Sequence, residues 1–389
     1  MAAGSGGGAV AAASRLRESM GMTVPPIPTD ATLHLRPVQL VDTPVGLDGQ
    51  AARLAGGMQW FAAYELLVPA SGVRTTIVLA DFPRLLERVS SAQGERLETL
   101  HRRITAQRAP ITCGERVLRL DQPRVAAILN CTPDSFSDGG RNGSDAEAIA
   151  ATGHRMVEAG AALIDVGGES TRPGAATVWE GDEIARVVPV IERLAASGTA
   201  ISIDTRKAEV MEAALAAGAH IVNDVAALLF DPRALEVVAH AGCPVVLMHS
   251  PDPEAGGHAR PRYTDVLTDV FDWLEQRIEA VVDGGVDRAK ILVDPGIGFG
   301  KSLAENLALL NGLAIFHGLG CPILLGASRK RLIGALSNEA PADQRLGGSL
   351  TLALKGADMG AQLIRVHDVP ETVQALRVWR GLRDTALSE

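Results

Sequence analysis

Residues 200–225 read AISIDTRKAEVMEAALAAGAHIVNDV and contain two strand-like runs on either side of a helix-like one. The outer runs, AISIDT (200–205) and HIVNDV (220–225), are rich in Ile and Val, whose branched side chains favour strands. The middle run, AEVMEAALAAG, is rich in Ala and Glu and closes on Gly218, as helices often do. A strand, a helix and a strand in such close succession predict two neighbouring parallel strands joined by a crossover helix.

The same alternation runs from about Arg124 to the end of the sequence. Eight units in about 260 residues match the count and size of a (β/α)8 TIM barrel, an α/β fold with helices outside a ring of parallel strands. An open doubly wound sheet is the runner-up, but no Gly-x-Gly-x-x-Gly follows the first strand. The predicted strands are VAAILN (125–130), ALIDVG (162–167), AISIDT (200–205), HIVNDV (220–225), VVLMHS (245–250), ILVDPG (291–296), ILLGAS (323–328) and LIRVHD (363–368).

The chain divides into three predicted regions. Residues 109–389 form the barrel, and ITCGERVLRL (111–120) within it predicts a hairpin around Gly114 that plugs the N-terminal mouth. Residues 1–21 are rich in Gly, Ala and Ser and are interpreted as a disordered leader. Residues 22–108 lack the alternation and predict a small N-terminal α/β accessory domain, whose deletion we expect to leave a folded barrel. Its predicted strands are TLHLRPVQLV and VRTTIVLADF, and its predicted helices are FPRLLERVSSAQ and GERLETLHRRITAQR.

The composition argues against several classes of protein. A chain that is 47% hydrophobic and 21% charged is globular rather than disordered. A formal net charge of −9 provides no basic surface for DNA or RNA, so we expect no nucleic-acid partner. The sequence contains no run of about eighteen apolar residues, so we expect no membrane span. The 4 cysteines are far apart and form no C-x-x-C pair, so we expect reduced thiols in a cytoplasmic protein.

Each predicted barrel strand ends near a polar or ionisable residue. The carboxyl ends of barrel strands converge on one face, where active sites lie, so this repeated pattern predicts a functional site. Any single member could be a helix cap or a paired core group, and His249 is the best candidate for such a structural role. The residues are Asn130, Asp165, Asp204, Asn223, His249, Asp294, Ser328 and His367.

The loop after the first predicted strand, CTPDSFSDGG (131–140), is rich in oxygen donors. Together with Asn130, it offers Asp134 and Asp138, and hard oxygen ligands suit Mg²⁺. The alternative is a mobile surface loop built of turn-forming residues. Glycines at its end fit both interpretations, because catalytic loops also need hinges.

Anion-binding residues follow three other strands. Thr171 and Arg172, in the loop GGESTRPGA (167–175), can bond an anionic oxygen, although a salt bridge from Arg172 to a nearby acid is the alternative. Ser328, Arg329 and Lys330 follow the seventh strand, and Arg365 and His367 lie on the eighth. Barrels often bind phosphate beside these last two strands, so the cluster predicts a diphosphate clamp.

Buried Asp204, Asn223 and Asp294 can accept and donate hydrogen bonds on one heterocycle of the 2-amino-pyrimidinone type. Their mutual pairing in a structural network is the alternative. Unpaired buried polar groups cost about 1 to 3 kcal/mol each, which favours a ligand as their partner.

Eight motifs in this order resemble the dihydropteroate synthase family over about 275 residues, from the hairpin near residue 110 to the end. The resemblance implies a barrel enzyme that condenses 6-hydroxymethyl-7,8-dihydropterin diphosphate with 4-aminobenzoate to give 7,8-dihydropteroate and diphosphate. The motifs are NCTPDSFSDGG, IDVGGESTRPGA, SIDTRK, VNDV, LMH, DPGIGFGK, GASRKRLIG and IRVHDV.

The resemblance also implies residue roles. Asn130 and Asp138 hold Mg²⁺, and Asn130, Arg365 and His367 bind diphosphate. The implied catalytic residues are Asp204, Lys330 and Asp138. The implied pterin pocket comprises Asp165, Asp204, Asn223, Met248, Asp294 and Lys330. The implied 4-aminobenzoate subsite comprises Thr171, Arg172, Pro173, Phe299, Ser328 and Lys330.

Two other functions are compatible with a pterin-binding barrel. A methyltransferase that presents methyltetrahydrofolate would share the pterin acids but has no use for a magnesium loop or a diphosphate clamp. A catalytically inactive pterin-binding paralogue would bind the pterin without turnover, although every motif residue is retained. The family resemblance further implies a homodimer.

Overall fold

The computed structural model of the chain describes residues 25–132, 144–170, 177–252 and 261–387. An 8-stranded parallel sheet forms the centre of the molecule, with its strands in sequence order and the last strand paired with the first. A parallel bridge between Val293 and Ile323 joins the two edges, so the sheet closes into the predicted TIM barrel. The strands are β7 (Arg124–Asn130), β8 (Leu163–Gly167), β9 (Ile201–Asp204), β10 (Ile221–Asp224), β11 (Val245–Met248), β12 (Ile291–Asp294), β13 (Leu324–Gly326) and β14 (Leu363–Val366).

All eight predicted strands are confirmed, and each strand end lies within two residues of the predicted one. Nearly every strand residue is buried, because the core fills one face and helices cover the other. The helices around the barrel are α3 (Ser144–Glu158), α4 (Glu180–Ala196), α5 (Ala208–Ala216), α6 (Ala234–Ala241), α7 (Val266–Asp283), α8 (Leu303–Gly312), α9 (Arg331–Leu336), α10 (Leu346–Asp358) and α11 (Val369–Ala386). A 3-10 helix, Leu313–Leu319, extends α8.

The predicted hairpin is also confirmed. Strands β5 (Ile111–Cys113) and β6 (Arg116–Leu118) pair antiparallel around Gly114. Side chains of the hairpin, including Ile111 and Leu118, pack with the first residues of the barrel strands, such as Leu163 and Leu363. The hairpin therefore closes the N-terminal mouth and leaves the opposite end for the site.

The N-terminal segment folds as a 4-stranded antiparallel sheet with two helices against it. Its strands are β1 (His34–Val41), β2 (Ala52–Arg53), β3 (Trp60–Val68) and β4 (Val73–Val78), and its helices are α1 (Phe82–Leu86) and α2 (Ser91–Thr105). The predicted single helix over FPRLLERVSSAQ is wrong, because Ser90 and Gln93 form a capping box that begins α2 separately.

This segment packs against the barrel. Its buried side chains and those of the barrel helices form one continuous core. The His34 ring lies 2.7 Å from Asp272 on α7, and Arg96 bonds Glu275 on the same helix at 3.0 Å. The buried Arg108 donates to the carbonyl of His317 at 3.1 Å. In the described ranges, no helix is both long enough and apolar enough to cross a bilayer.

Candidate active site

Parallel strands bring the predicted site residues to one end of the barrel. Asn223 and Asp204 are register partners on β10 and β9, and Asn130 pairs with Gly167 across β7 and β8. Met248 and Asp294 face each other on β11 and β12. These side chains share one rim because the carboxyl ends of all strands in a barrel point the same way.

An arginine crosses the barrel to two of the predicted pterin acids. Arg365 on β14 donates from Nε to Asp165 Oδ2 at 2.5 Å and from its terminal nitrogen to Asp204 Oδ2 at 2.5 Å. Burial by itself lowers the pKa of Arg365, but the Asp165 and Asp204 carboxylates more than offset this and raise it. The guanidinium thus stays charged and holds one oxygen of each acid.

Asp204 keeps one carboxylate oxygen available. Its Oδ1 is buried and has no hydrogen-bond partner among the described residues. Burial raises the pKa of Asp204 to about 7, with Arg365 opposing and Asp165 adding to the rise. A buried acceptor without a hydrogen-bond donor destabilises the folded chain. A ligand group that donates a hydrogen bond to this oxygen would remove that cost.

The remaining pterin candidates lie at the same end of the neighbouring strands. Asn223 donates to Asp165 Oδ2 at 3.1 Å, which fixes the orientation of its amide. Asp294 accepts the backbone N–H of Gly296 at 2.7 Å, and burial raises its pKa although Lys330 opposes. Met248 is 4% exposed and lines the same rim.

Lys330 links the sixth and seventh loops. Its ammonium donates to the carbonyl of Ile297 and lies 4.8 Å from the centroid of the Phe299 ring. Burial lowers the pKa of Lys330 to about 8, whereas Asp294 acts to raise it. A half-buried cation above an aromatic ring and near two carboxylates can contact both a heterocycle and an arylamine.

Two predicted anion-binding residues contact each other. Ser328 Oγ lies 3.1 Å from His367 Nδ1 and also accepts the backbone N–H of His367 at 3.2 Å. Arg329 instead donates to Asp368 from Nε at 3.0 Å, so it is held in an ion pair. The pair of Ser328 and His367 joins β13 to β14 beside Arg365.

Several predicted residues lie outside the described ranges, namely Asp134, Asp138, Thr171, Arg172 and Pro173. Asn130 is described and half-buried at the end of β7. Among the described residues, no group of three or more His, Cys, Asp or Glu side chains is arranged to hold a metal ion. A Mg²⁺ ion that takes one or two protein oxygens and otherwise water and phosphate does not need such a group.

His249 has the structural role expected for it. It is 3% exposed, and its ring packs edge-on against Trp273 at 4.9 Å between centroids. Burial lowers its pKa to about 2, with Lys301 adding to the effect, so the ring is neutral at ordinary pH.

Sequence reasoning passes over Lys301, because one lysine after a glycine-rich loop does not stand out. Its ammonium donates to the carbonyls of Gly296 at 2.9 Å and Phe299 at 3.2 Å. Burial lowers its pKa to about 7, although Asp294 opposes. Lys301 therefore holds together the loop that carries Phe299. The signal in the sequence is its place at the end of DPGIGFGK.

Comparison with known proteins agrees with this site. The family model described as "Pterin binding enzyme" matches residues 126–367. Dihydropteroate synthase of Escherichia coli strain K12 is 47% identical over 262 residues, which cover 67% of this chain and 92% of that protein. The Bacillus subtilis enzyme is 44% identical over 255 residues, covering 65% of this chain and 86% of that protein.

Solved structures show the same relationship. Xanthomonas albilineans dihydropteroate synthase with 4-aminobenzoic acid superimposes with a TM-score of 0.66 at 50% identity, covering 70% of this chain and 98% of that one. The same enzyme with 7,8-dihydropteroate gives a TM-score of 0.64 at 47% identity, covering 71% and 99% of the two chains. Fold and site thus define a pterin-binding barrel enzyme. Within that class, the chain belongs to the dihydropteroate synthase family, whose members are transferases of folate biosynthesis.

Proposed function

We propose that this chain condenses 6-hydroxymethyl-7,8-dihydropterin diphosphate with 4-aminobenzoate and releases diphosphate. The observation that carries the proposal is the acidic rim, where Arg365 holds Asp165 and Asp204 and one oxygen of Asp204 remains unbonded. Relatives of 44% to 47% identity that are dihydropteroate synthases support it. So does a solved relative that holds 7,8-dihydropteroate.

The residues of the rim fit the chemistry of a pterin. Asp204 Oδ1 accepts a ring N–H or amino group, and Asn223 and Asp294 supply further polar groups on the same heterocycle. When diphosphate leaves the pterin methylene, positive charge develops on the pterin, and the Asp204 carboxylate stabilises it. The arylamine then attacks the methylene carbon and loses a proton, so no covalent enzyme intermediate is needed.

Asn130, Arg365 and His367 are proposed to receive the diphosphate, and Asn130 and Asp138 to hold Mg²⁺. Of the two proposed metal ligands, Asn130 lies in the part of the chain that the structure describes. Its amide oxygen is a hard ligand of the kind Mg²⁺ prefers, so the residues fit the metal. When bound, Mg²⁺ supplies Lewis-acid neutralisation of the leaving group. The 4-aminobenzoate subsite is proposed to comprise Phe299, Ser328 and Lys330 with Thr171, Arg172 and Pro173.

We also propose a cytoplasmic homodimer. Val378 and Leu382 on α11 are 61% and 70% exposed and lie one helical turn apart, which supports an apolar contact with a second copy. All four cysteines are free and buried, which fits a reducing compartment. Sedimentation of the purified protein tests the dimer, and a single monomeric species would contradict it.

The experiment that tests the function measures diphosphate release by the purified chain, with the pterin diphosphate, 4-aminobenzoate and Mg²⁺ each omitted in turn. We expect release only when all three are present. Release without 4-aminobenzoate would mean that water captures the pterin cation. If the pterin binds but no diphosphate is released, the chain is a binding module and the proposal fails.

A further inference from the structure

The loop after β12, residues 295–302, carries Phe299 and runs close against the end of β11. Gly296 has φ +69, and an added Cβ would lie 1.9 Å from the carbonyl oxygen of His249, the residue directly after β11. Only glycine, which has no Cβ, fits at this close approach of two backbones. The carbonyls that meet here need hydrogen-bond donors from elsewhere in the chain.

Lys301 supplies three of those donors. Its ammonium donates to the carbonyls of Gly296 at 2.9 Å, Phe299 at 3.2 Å and His249 at 3.4 Å. An ammonium has three N–H groups, so these bonds occupy all of them. Lys301 therefore fixes the backbone of the loop and has no donor left for a ligand.

Both backbone polar groups of Phe299 are bonded. Its N–H donates to the carbonyl of Gly296 at 3.2 Å, and its carbonyl accepts from Lys301. The ammonium of Lys330 bonds the carbonyl of Ile297 in the same loop and lies 4.8 Å from the centroid of the Phe299 ring. The position of this ring beside Lys330 therefore depends on Lys301.

A second side chain holds the loop at other points. Asn306 is 3% exposed, and its amide oxygen accepts the N–H of Gly298 at 2.6 Å. Its amide nitrogen donates to the carbonyls of Lys301 at 3.1 Å and Ser302 at 2.8 Å. Because these bonds do not involve the Lys301 ammonium, its removal should displace Phe299 without releasing the whole loop.

We propose that Lys301 is a positioning residue for the arylamine, which fixes the Phe299 ring beside Lys330. This inference rests on the proposed function, which assigns Phe299 and Lys330 to the 4-aminobenzoate subsite. A displaced ring loses contact with the arylamine, and misalignment of two substrates slows their reaction. Lys301 acts through Phe299, since its own bonds go to carbonyls of the chain.

The pterin side of the site depends less on Lys301. The loop meets the pterin acids at Asp294, which accepts the N–H of Gly296 at 2.7 Å. Asp165 and Asp204 are held instead by Arg365 from β14. We therefore expect a smaller effect on the pterin diphosphate than on 4-aminobenzoate.

The test is the variant Lys301→Met in the full chain, which keeps the apolar stem and removes the three donors. We expect the KM for 4-aminobenzoate to rise about tenfold or more, while the KM for the pterin diphosphate stays within about threefold. Partial unfolding alone would lower the apparent kcat and leave both KM values unchanged. An unchanged KM for 4-aminobenzoate, or an equal rise of both KM values, would overturn the proposal.

The matched control is Lys290→Met. The ammonium of Lys290 also bonds a backbone carbonyl, that of Gly242, but Lys290 precedes β12 and so lies at the opposite end of the barrel. The same substitution there should leave both KM values unchanged.

A double-mutant cycle with Phe299→Leu tests whether Lys301 acts through the ring. In the Phe299→Leu background, Lys301→Met should raise the KM for 4-aminobenzoate by no more than about twofold, because the ring that it positions is gone. Effects of the two substitutions that multiply would show that Lys301 acts elsewhere, which refutes the inference.

The same assays separate this inference from the proposed function. If the wild-type chain releases no diphosphate, the proposed function fails and the inference fails with it. Diphosphate release by the wild-type chain, with unchanged kinetics in Lys301→Met, refutes the inference alone.

Discussion

At the scale of single residues, Asp204 combines two features that indicate its role. One carboxylate oxygen is held by Arg365, and the other is buried without a partner among the described residues. We predict that Asp204→Asn lowers kcat by on the order of 100-fold or more, because the amide cannot stabilise a developing cation. The dissociation constant for the pterin diphosphate should change only a few-fold, since the amide keeps one acceptor. Steady-state kinetics and calorimetric binding measure the two effects.

Asp224 provides the control for that substitution. It is fully buried and lies one position beyond Asn223, but its oxygens accept the backbone N–H groups of Ala226 at 2.7 Å and Leu228 at 2.8 Å. Asp224→Asn should therefore lower the melting temperature and spare kcat. Equal losses of turnover and pterin affinity in Asp204→Asn would show that Asp204 only binds.

The pH dependence of kcat/KM for the pterin diphosphate follows from two pKa values. Burial raises the pKa of Asp204 to about 7, so its carboxylate is lost as pH falls through 7 and activity should fall with it. Burial lowers the pKa of Lys330 to about 8, so activity should also decline as pH rises beyond 8. A pH–rate profile of the wild-type chain should peak between these values.

The direction of the acidic limb identifies its origin. Lys301 also has a pKa of about 7, but the loss of its proton would make activity fall as pH rises through 7. The residual activity of Asp204→Asn should lack the acidic limb. A wild-type profile that stays level from pH 5.5 to 7.5 would rule out ionised Asp204 as the required form.

At the scale of secondary-structure elements, the turn between α10 and β14 depends on Gly360. This residue has φ +82, and an added Cβ would lie 2.8 Å from His317 Nε2 and 2.9 Å from Leu54. We predict that Gly360→Ala lowers the free energy of unfolding by about 2 to 5 kcal/mol, from left-handed backbone strain and overpacking together. Urea denaturation measures the loss, and kcat/KM should be unchanged because the turn lies at the end of the barrel opposite the site.

Gly72 separates the two contributions. It has φ +66, but no atom lies within 4 Å of an added Cβ. Gly72→Ala should therefore cost only the backbone strain, about 1 to 2 kcal/mol. Equal losses in the two variants would show that the contacts of Gly360 with His317 and Leu54 contribute nothing.

The elements differ in how well the sequence predicts them. The barrel strands are buried on both faces and appear as short apolar runs, so the sequence predicts their positions. Strand β3, WFAAYELLV, was not predicted, because Ala, Glu and Leu favour helices and its pairing with β1 and β4 decides the outcome. The rim residues were predictable from strand ends. The bond from Arg365 across the barrel to Asp204 was not, since it depends on side-chain direction rather than on spacing.

At the scale of the whole molecule, the N-terminal segment forms part of one core with the barrel. Phe271 on α7 and Phe316 and Leu319 beyond α8 are each 1% exposed or less, in the same core as Leu100 of α2. Two acids on α7 pair with side chains of this segment: Asp272 with His34, and Glu275 with Arg96. Although the sequence predicts an accessory domain, these contacts make its removal costly.

We therefore predict that a chain beginning at residue 109 aggregates or melts far below the full chain, because apolar side chains of α7 and the 3-10 helix become exposed. A chain beginning at residue 25 keeps every described residue and is the control, which should match the full chain in melting temperature and activity. Co-expression of residues 25–108 with residues 109–389 should restore solubility if docking alone is required. A truncated barrel that is soluble and as stable as the control would show instead that the extension is separable, since the barrel core would then close without it.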